Sequence, residues 1–180
     1  MDQDRAAILA GYRRAEQQLR ARLEHAAPAD LERPSTGTRW TNEELLFHMV
    51  FGYMVVRALL PVVRVVGHLP RPWARAFAAV LDSATVPFDL VNYWGSRAAA
   101  LFYNRRRMGR KMHGVLAVLG RQLERETPAS LAVSMPFPIR WDPFFTREMT
   151  LLEVYAYPTL HFDFHAAQLD LPPLPPVDPA

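Results

Sequence analysis

The sequence predicts an all-α protein, and three observations predict it. Four long stretches repeat apolar residues at three- or four-residue spacing, two of them open on capping-box sequences, and only short pieces such as Ala132 to Met135 read as strand. A four-helix bundle is the architecture that four such helices favour. The 180 residues are half hydrophobic and 22% charged, enough to build one core. One domain is expected over residues 1–170, followed by a Pro-rich tail at 171–180.

The first helix is expected from about Gln3 to Ala26, where Ile8, Tyr12, Ala15, Leu19 and Leu23 share one face. Pro28 and Pro34 close it, and Leu31 to Arg39 reads as a loop. The second opens on Thr41-Asn42-Glu43-Glu44, whose Thr oxygen and Glu carboxylate satisfy free amides of the first turn. It runs to about Val66, with Pro61 expected to kink it or end it early. Its apolar stretch is interrupted by His48, Arg57, Arg64 and His68, so a buried helix is expected rather than a transmembrane one.

Residues 70–95 are the least regular part. Pro72 to Leu81 fits a short helix, and Asp82 to Trp94 reads as a long connection. This stretch is apolar beyond what a compact bundle needs, which suits a lid, a dimer contact or a loop. The third long helix is expected from about Ser96 to Glu126. Between Arg97 and Arg125 it carries eight basic residues and one acid. The fourth starts near Phe145 or at Thr150, where Thr150-Leu151-Leu152-Glu153 is a second capping box, and runs to about Leu169. Pro158 inside it is expected to bend it. The tail reads as an extended, polyproline-like end.

Composition excludes several classes. There is no Cys, hence no disulfide frame, thiolate metal site or cysteine nucleophile. Eight Gly and sixteen Pro recur without a fixed period, which excludes collagen and repeat arrays. Met1 to Ala10 carries two Asp and no long apolar run, unlike a signal peptide, and a cytoplasmic location is expected. A net charge of +3 does not by itself demand a polyanion. The Arg-rich third helix would suit phosphate contacts, but no nucleic-acid recognition motif accompanies it, and no nucleic-acid partner is expected. The acids after Trp141 offer the simpler account, a salt-bridged surface between helices three and four.

The histidines carry the chemistry. His161 and His165 are four apart, which sets both imidazoles on one helical face. Such a pair can take two cis positions on Zn, Ni or Fe; it also fits an exposed face or one buried, hydrogen-bonded His. His48 lies seven residues after Thr41, roughly 10 Å along its helix, while His165 and His161 lie roughly 6 and 12 Å from the end near Leu169. If helices two and four run antiparallel with aligned ends, His48 falls level with the gap between the pair. Three His ligands leave coordination positions for water or substrate, the pattern of a catalytic metal.

Two regions carry a resemblance. The run Thr38-Arg39-Trp40-Thr41-Asn42-Glu43-Glu44-Leu45-Leu46-Phe47-His48 is the first. The second is Met149-Thr150-Leu151-Leu152-Glu153, continuing to His161-Phe162-Asp163-Phe164-His165-Ala166-Ala167-Gln168-Leu169. Together they resemble the signature regions of the DinB-like (YfiT-like) superfamily. That resemblance implies a four-helix bundle in up-down-down-up order, with a divalent metal held by His48, His161 and His165. Several members of that superfamily resemble thiol-dependent transferases or isomerases that use a low-molecular-weight thiol such as mycothiol or bacillithiol, and others have no assigned activity, so the expected function is transfer or addition of such a thiol to a small-molecule substrate by a homodimer, with a non-catalytic metal- or small-ligand-binding bundle as the alternative.

Other residues have plainer expected roles. Glu44 belongs to the cap, with a place near the metal as the alternative. Asp163 points to another face, toward solvent or an Arg. Tyr53, Tyr155, Tyr157 and Arg57 could meet a substrate, although packing and the surface are their defaults. His25, His68 and His113 are expected at the surface, and Trp40 as a hydrophobic staple at the start of helix two.

Overall fold

The computed structural model describes residues 2–103 and 105–174. Its elements are α1 (Asp2–His25), α2 (Pro28–Glu32), α3 (Asn42–Gly67), α4 (Arg71–Ser83), α5 (Thr85–Phe102), α6 (Arg105–Arg125), α7 (Pro128–Leu131), β1 (Ser134–Pro136), β2 (Glu148–Thr150) and α8 (Leu151–Ala166). The protein is all-α apart from the antiparallel ribbon β1–β2, in which Met135 faces Met149.

Both predicted caps form. The Thr41 side chain accepts from the Glu44 N–H while the Glu44 carboxylate accepts from the Thr41 N–H, and Thr150 and Glu153 repeat the exchange. From its cap α3 enters the core and buries Leu45, Leu46, Phe47, Met49, Val50 and Tyr53. It packs on α8, α6 and α5, while α1 packs on α6 and α8. Contacts step from Asn42 with Asp170, through Tyr53 with Thr159, to Arg64 with Tyr155, so α3 and α8 run antiparallel. α3 is also long and apolar enough to cross a membrane by length and composition, although 44% of its apolar window is buried inside the protein.

Several expectations need correction. Pro61 does not end α3, which continues to Gly67. Pro61 and Arg57 both lie on the exposed face, where water can serve the carbonyl that the proline leaves without a partner. The stretch from Asp82 to Trp94 is not a connection: α5 begins at Thr85, joined to α4 through Ala84 alone. Pro87 sits in its first turn, where an N–H has no intrahelical acceptor anyway.

The single helix expected from Ser96 to Glu126 is two. α5 ends at Phe102, and the Tyr103 ring stacks on Phe47 at 5.4 Å, so packing against the core interrupts the helical run. Helix α6 packs on α1 and α3, and its His113 meets Glu16 of α1 at 2.7 Å. Of the loop expected from Leu31 to Arg39, Leu31 and Glu32 belong instead to the short α2, which has Pro28 in its first turn. α8 opens at Leu151 on the Thr150 cap, the second of the two expected starts, and Pro158 lies inside it. Of the tail, residues 175–180 lie outside the described residues.

Candidate metal centre

Antiparallel α3 and α8 bring His48, His161 and His165 together, all three buried. One candidate ligand atom from each lies within 4.8 Å of the other two. The Nε2 atoms of His48 and His161 are 3.2 Å apart. Two nitrogens bound about 2.0–2.1 Å from one tetrahedral ion stand about 3.3 Å apart, so this pair already has the spacing of cis ligands. Gly52 makes the approach fit: a Cβ there would meet His161 Cδ2 at 2.9 Å.

The opposite nitrogen of each ring is held. His161 Nδ1 donates to Asp142 Oδ2 at 2.9 Å. His165 Nδ1 donates to Gln168 Oε1 at 2.6 Å, and His48 Nδ1 lies 3.3 Å from Ser96 Oγ on α5. A ring that donates through Nδ1 keeps its lone pair on Nε2, so His161 and His165 present acceptors to the common point. Metal-binding imidazoles are oriented in this way by outer hydrogen-bond partners. The donor set therefore fits a borderline-soft divalent ion such as Zn, Ni or Fe.

Electrostatics keep His48 and His165 neutral. Burial holds His48 well below the ordinary imidazole range, and repulsion from His161 and His165 adds to it. Burial, with repulsion from His161, lowers His165 to about 4. Burial acts to raise Asp142, but its hydrogen bond from His161, assisted by the Phe144 N–H and the Tyr157 hydroxyl, holds it below the usual carboxylate range. Asp142 is thus an ionised acceptor for His161. Tyr157 donates to the same Oδ2 at 2.7 Å, and burial beside Asp142 keeps its hydroxyl protonated.

Trp40 is not only a residue before a cap. Its ring stacks on His48 with centroids 4.3 Å apart and meets His165 edge-on at 6.3 Å. Beside His48 and His161 lies a cavity of about 40 Å³, lined by Phe51, Val55, Leu59 and Phe145, with Asn92 and Tyr157 on its wall. It combines an apolar lining with a few polar groups next to the imidazoles.

The remaining candidates fall elsewhere. Glu44 is committed to the cap and to Arg97 at 3.0 Å. Asp163 forms a two-point pair with Arg14, both contacts at 2.7 Å. Tyr53 bonds Thr159, and Tyr155 joins Arg64 and Glu126, away from the imidazoles. Arg57 is exposed and does not line the cavity. His25, His68 and His113 are exposed, as expected. Sequence reasoning missed Asp142, Ser96 and Gly52 as parts of the site; of these only Gly52, a glycine inside an apolar helix one turn after His48, carried a local signal. No protein-family model, curated protein or solved structure matches the chain.

Proposed function

We propose that this protein is a divalent-metal-dependent enzyme of the DinB-like class, holding Zn, Ni or Fe through His48, His161 and His165. The observation that carries the reading is the buried convergence of three imidazoles, each with its far nitrogen engaged by Ser96, Asp142 or Gln168. The up-down-down-up order implied by the resemblance is supported by contact directions. α3 opposes α8, while Gly11 near Thr159 and Arg14 with Asp163 set α1 parallel to α8. Arg5 with the Glu126 carbonyl and Glu16 with His113 set α6 against α1.

The reaction proposed is transfer or addition of a low-molecular-weight thiol, such as mycothiol or bacillithiol, to a small electrophile. A bound ion would supply Lewis acidity, lowering the pKa of a thiol or water in its open position. The chain's own part is to orient and to exclude water. Asp142 fixes the proton on His161 Nδ1, Trp40 covers His48, and Phe51 and Phe145 keep the neighbouring cavity apolar. A cytoplasmic homodimer belongs to the same proposal.

Two experiments test it. Metal analysis of untagged protein should find close to one equivalent of a transition metal, and loss of that metal in His48→Ala and His165→Ala. Turnover assays pairing thiols with electrophiles should find activity that both variants abolish. Metal without turnover would favour the second reading, a non-catalytic metal- or small-ligand-binding bundle, which the small volume of the cavity favours. Protein that stays metal-free after supplementation would sink both.

A further inference from the structure

We propose that the cavity beside the imidazoles is a slot for the unbranched apolar chain of a small molecule, with the reacting end of that molecule at His48 and His161 and no charge along the chain. The placing of the reacting end rests on the metal reading; the slot itself does not.

The slot follows one stripe of α3. His48, Phe51, Val55 and Leu59 stand at positions i, i+3, i+7 and i+11, so they line one face over roughly 16 Å of helix axis. Tyr157 and His161, one turn apart on α8, line it as well, together with Phe145 from the connection between β1 and β2. At the imidazole end Gly52 adds no side chain to fill the space. Beyond Leu59 the slot closes, because Leu59, Phe145 and Tyr157 meet Met149 and Val154 with no free volume between them.

Volume sets the width. One water needs about 10–15 Å³ of such space. The cavity of about 40 Å³ therefore admits roughly three water-sized groups. Spread along the stripe, they form a file one methylene wide, with no place for a ring or a branch. The walls are also incompletely covered. Phe51, Val55, Leu59 and Phe145 are half-buried, whereas Val56 and Leu60 on the same helix are fully buried. An apolar chain in the slot would take that remaining area out of water, a gain of about fourfold in affinity for each methylene.

Charge narrows the class further. Among the described residues no Lys or Arg lines the slot, and Arg57, two residues after Val55, is exposed and outside it. The one carboxylate on its wall, Asp142, is already engaged. Its Oδ2 accepts from His161 and Tyr157, and its Oδ1 accepts from the Phe144 N–H. A carboxylate or phosphate on the chain would lose water, find no cation and lie beside an anion. Asn92 supplies an uncharged amide, which suits a hydroxyl or carbonyl.

The test is titration of the full chain as purified with straight-chain alcohols from ethanol to 1-hexanol, read from the NMR methyl signals of Val55 and Leu59. Affinity should rise about fourfold per methylene up to about three or four carbons and then level off. tert-Butanol should bind about tenfold or more weakly than 1-butanol, because a branch forces the walls apart. Butyrate, tried on chelated protein so that no ion can take the carboxylate, should be weaker by about tenfold or more. Leu59→Phe, which fills the closed end, should cost 1-butanol about fourfold or more and leave ethanol unchanged. The comparison of 1-butanol with tert-butanol needs no variant, so it decides the matter even where Leu59→Phe misfolds. Equal binding of those two isomers, or a series that never shifts Val55 and Leu59, would overturn the proposal. Zinc binding is measured apart. A chain-length series in protein that takes no zinc would sink the metal reading alone, and zinc without the series would sink the slot alone.

Discussion

Gly52→Ala isolates the geometry on which the metal reading rests. The added Cβ would stand 2.9 Å from His161 Cδ2 and 3.5 Å from its Nε2. Ordinary contact requires about 3.4 Å or more, so the ring or α8 must retreat by at least about 0.5 Å. Metal ligand distances tolerate about 0.2 Å. His161 cannot swing aside without lengthening its 2.9 Å bond to Asp142. The loss of metal affinity should therefore match that of a broken outer contact, roughly 10- to 100-fold. The backbone responds in the opposite direction, because Ala in a helix interior is better than Gly by about 0.5–1 kcal/mol. Metal-free Gly52→Ala should melt no more than about 2 °C below the parent, and a rise of about 2–4 °C is expected if the ring yields freely. Zinc titration against a competing chelator, paired with melts of metal-free protein, reads both quantities. Parental zinc affinity in a folded Gly52→Ala protein would refute the argument that Nε2 of His161 is a ligand.

Three further predictions follow from the same geometry. Asp142→Asn keeps an acceptor near His161 but removes the charge, so metal affinity should fall roughly 10- to 100-fold while far-ultraviolet circular dichroism stays unchanged. Because burial depresses His48 and His165 in the fold, the unfolded chain binds more protons below its ordinary value of about 6.5; metal-free stability should be level above that pH and fall from there toward about 4, and bound metal should push the loss to lower pH. Thr41→Ala and Thr150→Ala should each cost about 1 kcal/mol in urea unfolding, and no loss from either would mean that the caps are redundant.

The helices that pack the core were legible because their apolar residues keep one phase and their starts carry caps. Ile8, Tyr12, Ala15, Leu19 and Leu23 were read on one face of the first helix, and all five are buried. The stretch from Asp82 to Trp94 was misread as a connection for a physical reason. Pro87 reads as a breaker, and Val86, Leu90 and Trp94 turn outward, so these apolar residues mark no inward face. Tyr103 ends α5 through a ring contact with Phe47, fifty-six residues earlier in the chain, and no local pattern encodes such a contact.

The site divides in the same way. Spacing on two helices sufficed to pick out His48, His161 and His165, whereas Asp142 lies in the connection between β1 and β2 and Ser96, on α5, has no second polar residue at ligand spacing to single it out. Asp142 is positioned from two sides. Its own Oδ1 accepts the Phe144 N–H at 2.9 Å, and the indole of neighbouring Trp141 donates to the Leu81 carbonyl at 3.0 Å, tying this connection to the end of α4. That tie makes a remote substitution informative. Trp141→Phe keeps the ring and deletes the donor, a loss worth about 1 kcal/mol net for one hydrogen bond. If Trp141 holds Asp142 against His161, up to about fivefold of metal affinity should disappear with it, and Asp142→Asn should mask the effect, since residues acting through one contact are not additive. Equal losses from Trp141→Phe in the parent and in the Asp142→Asn background would mean that the indole stabilises the fold without orienting the carboxylate.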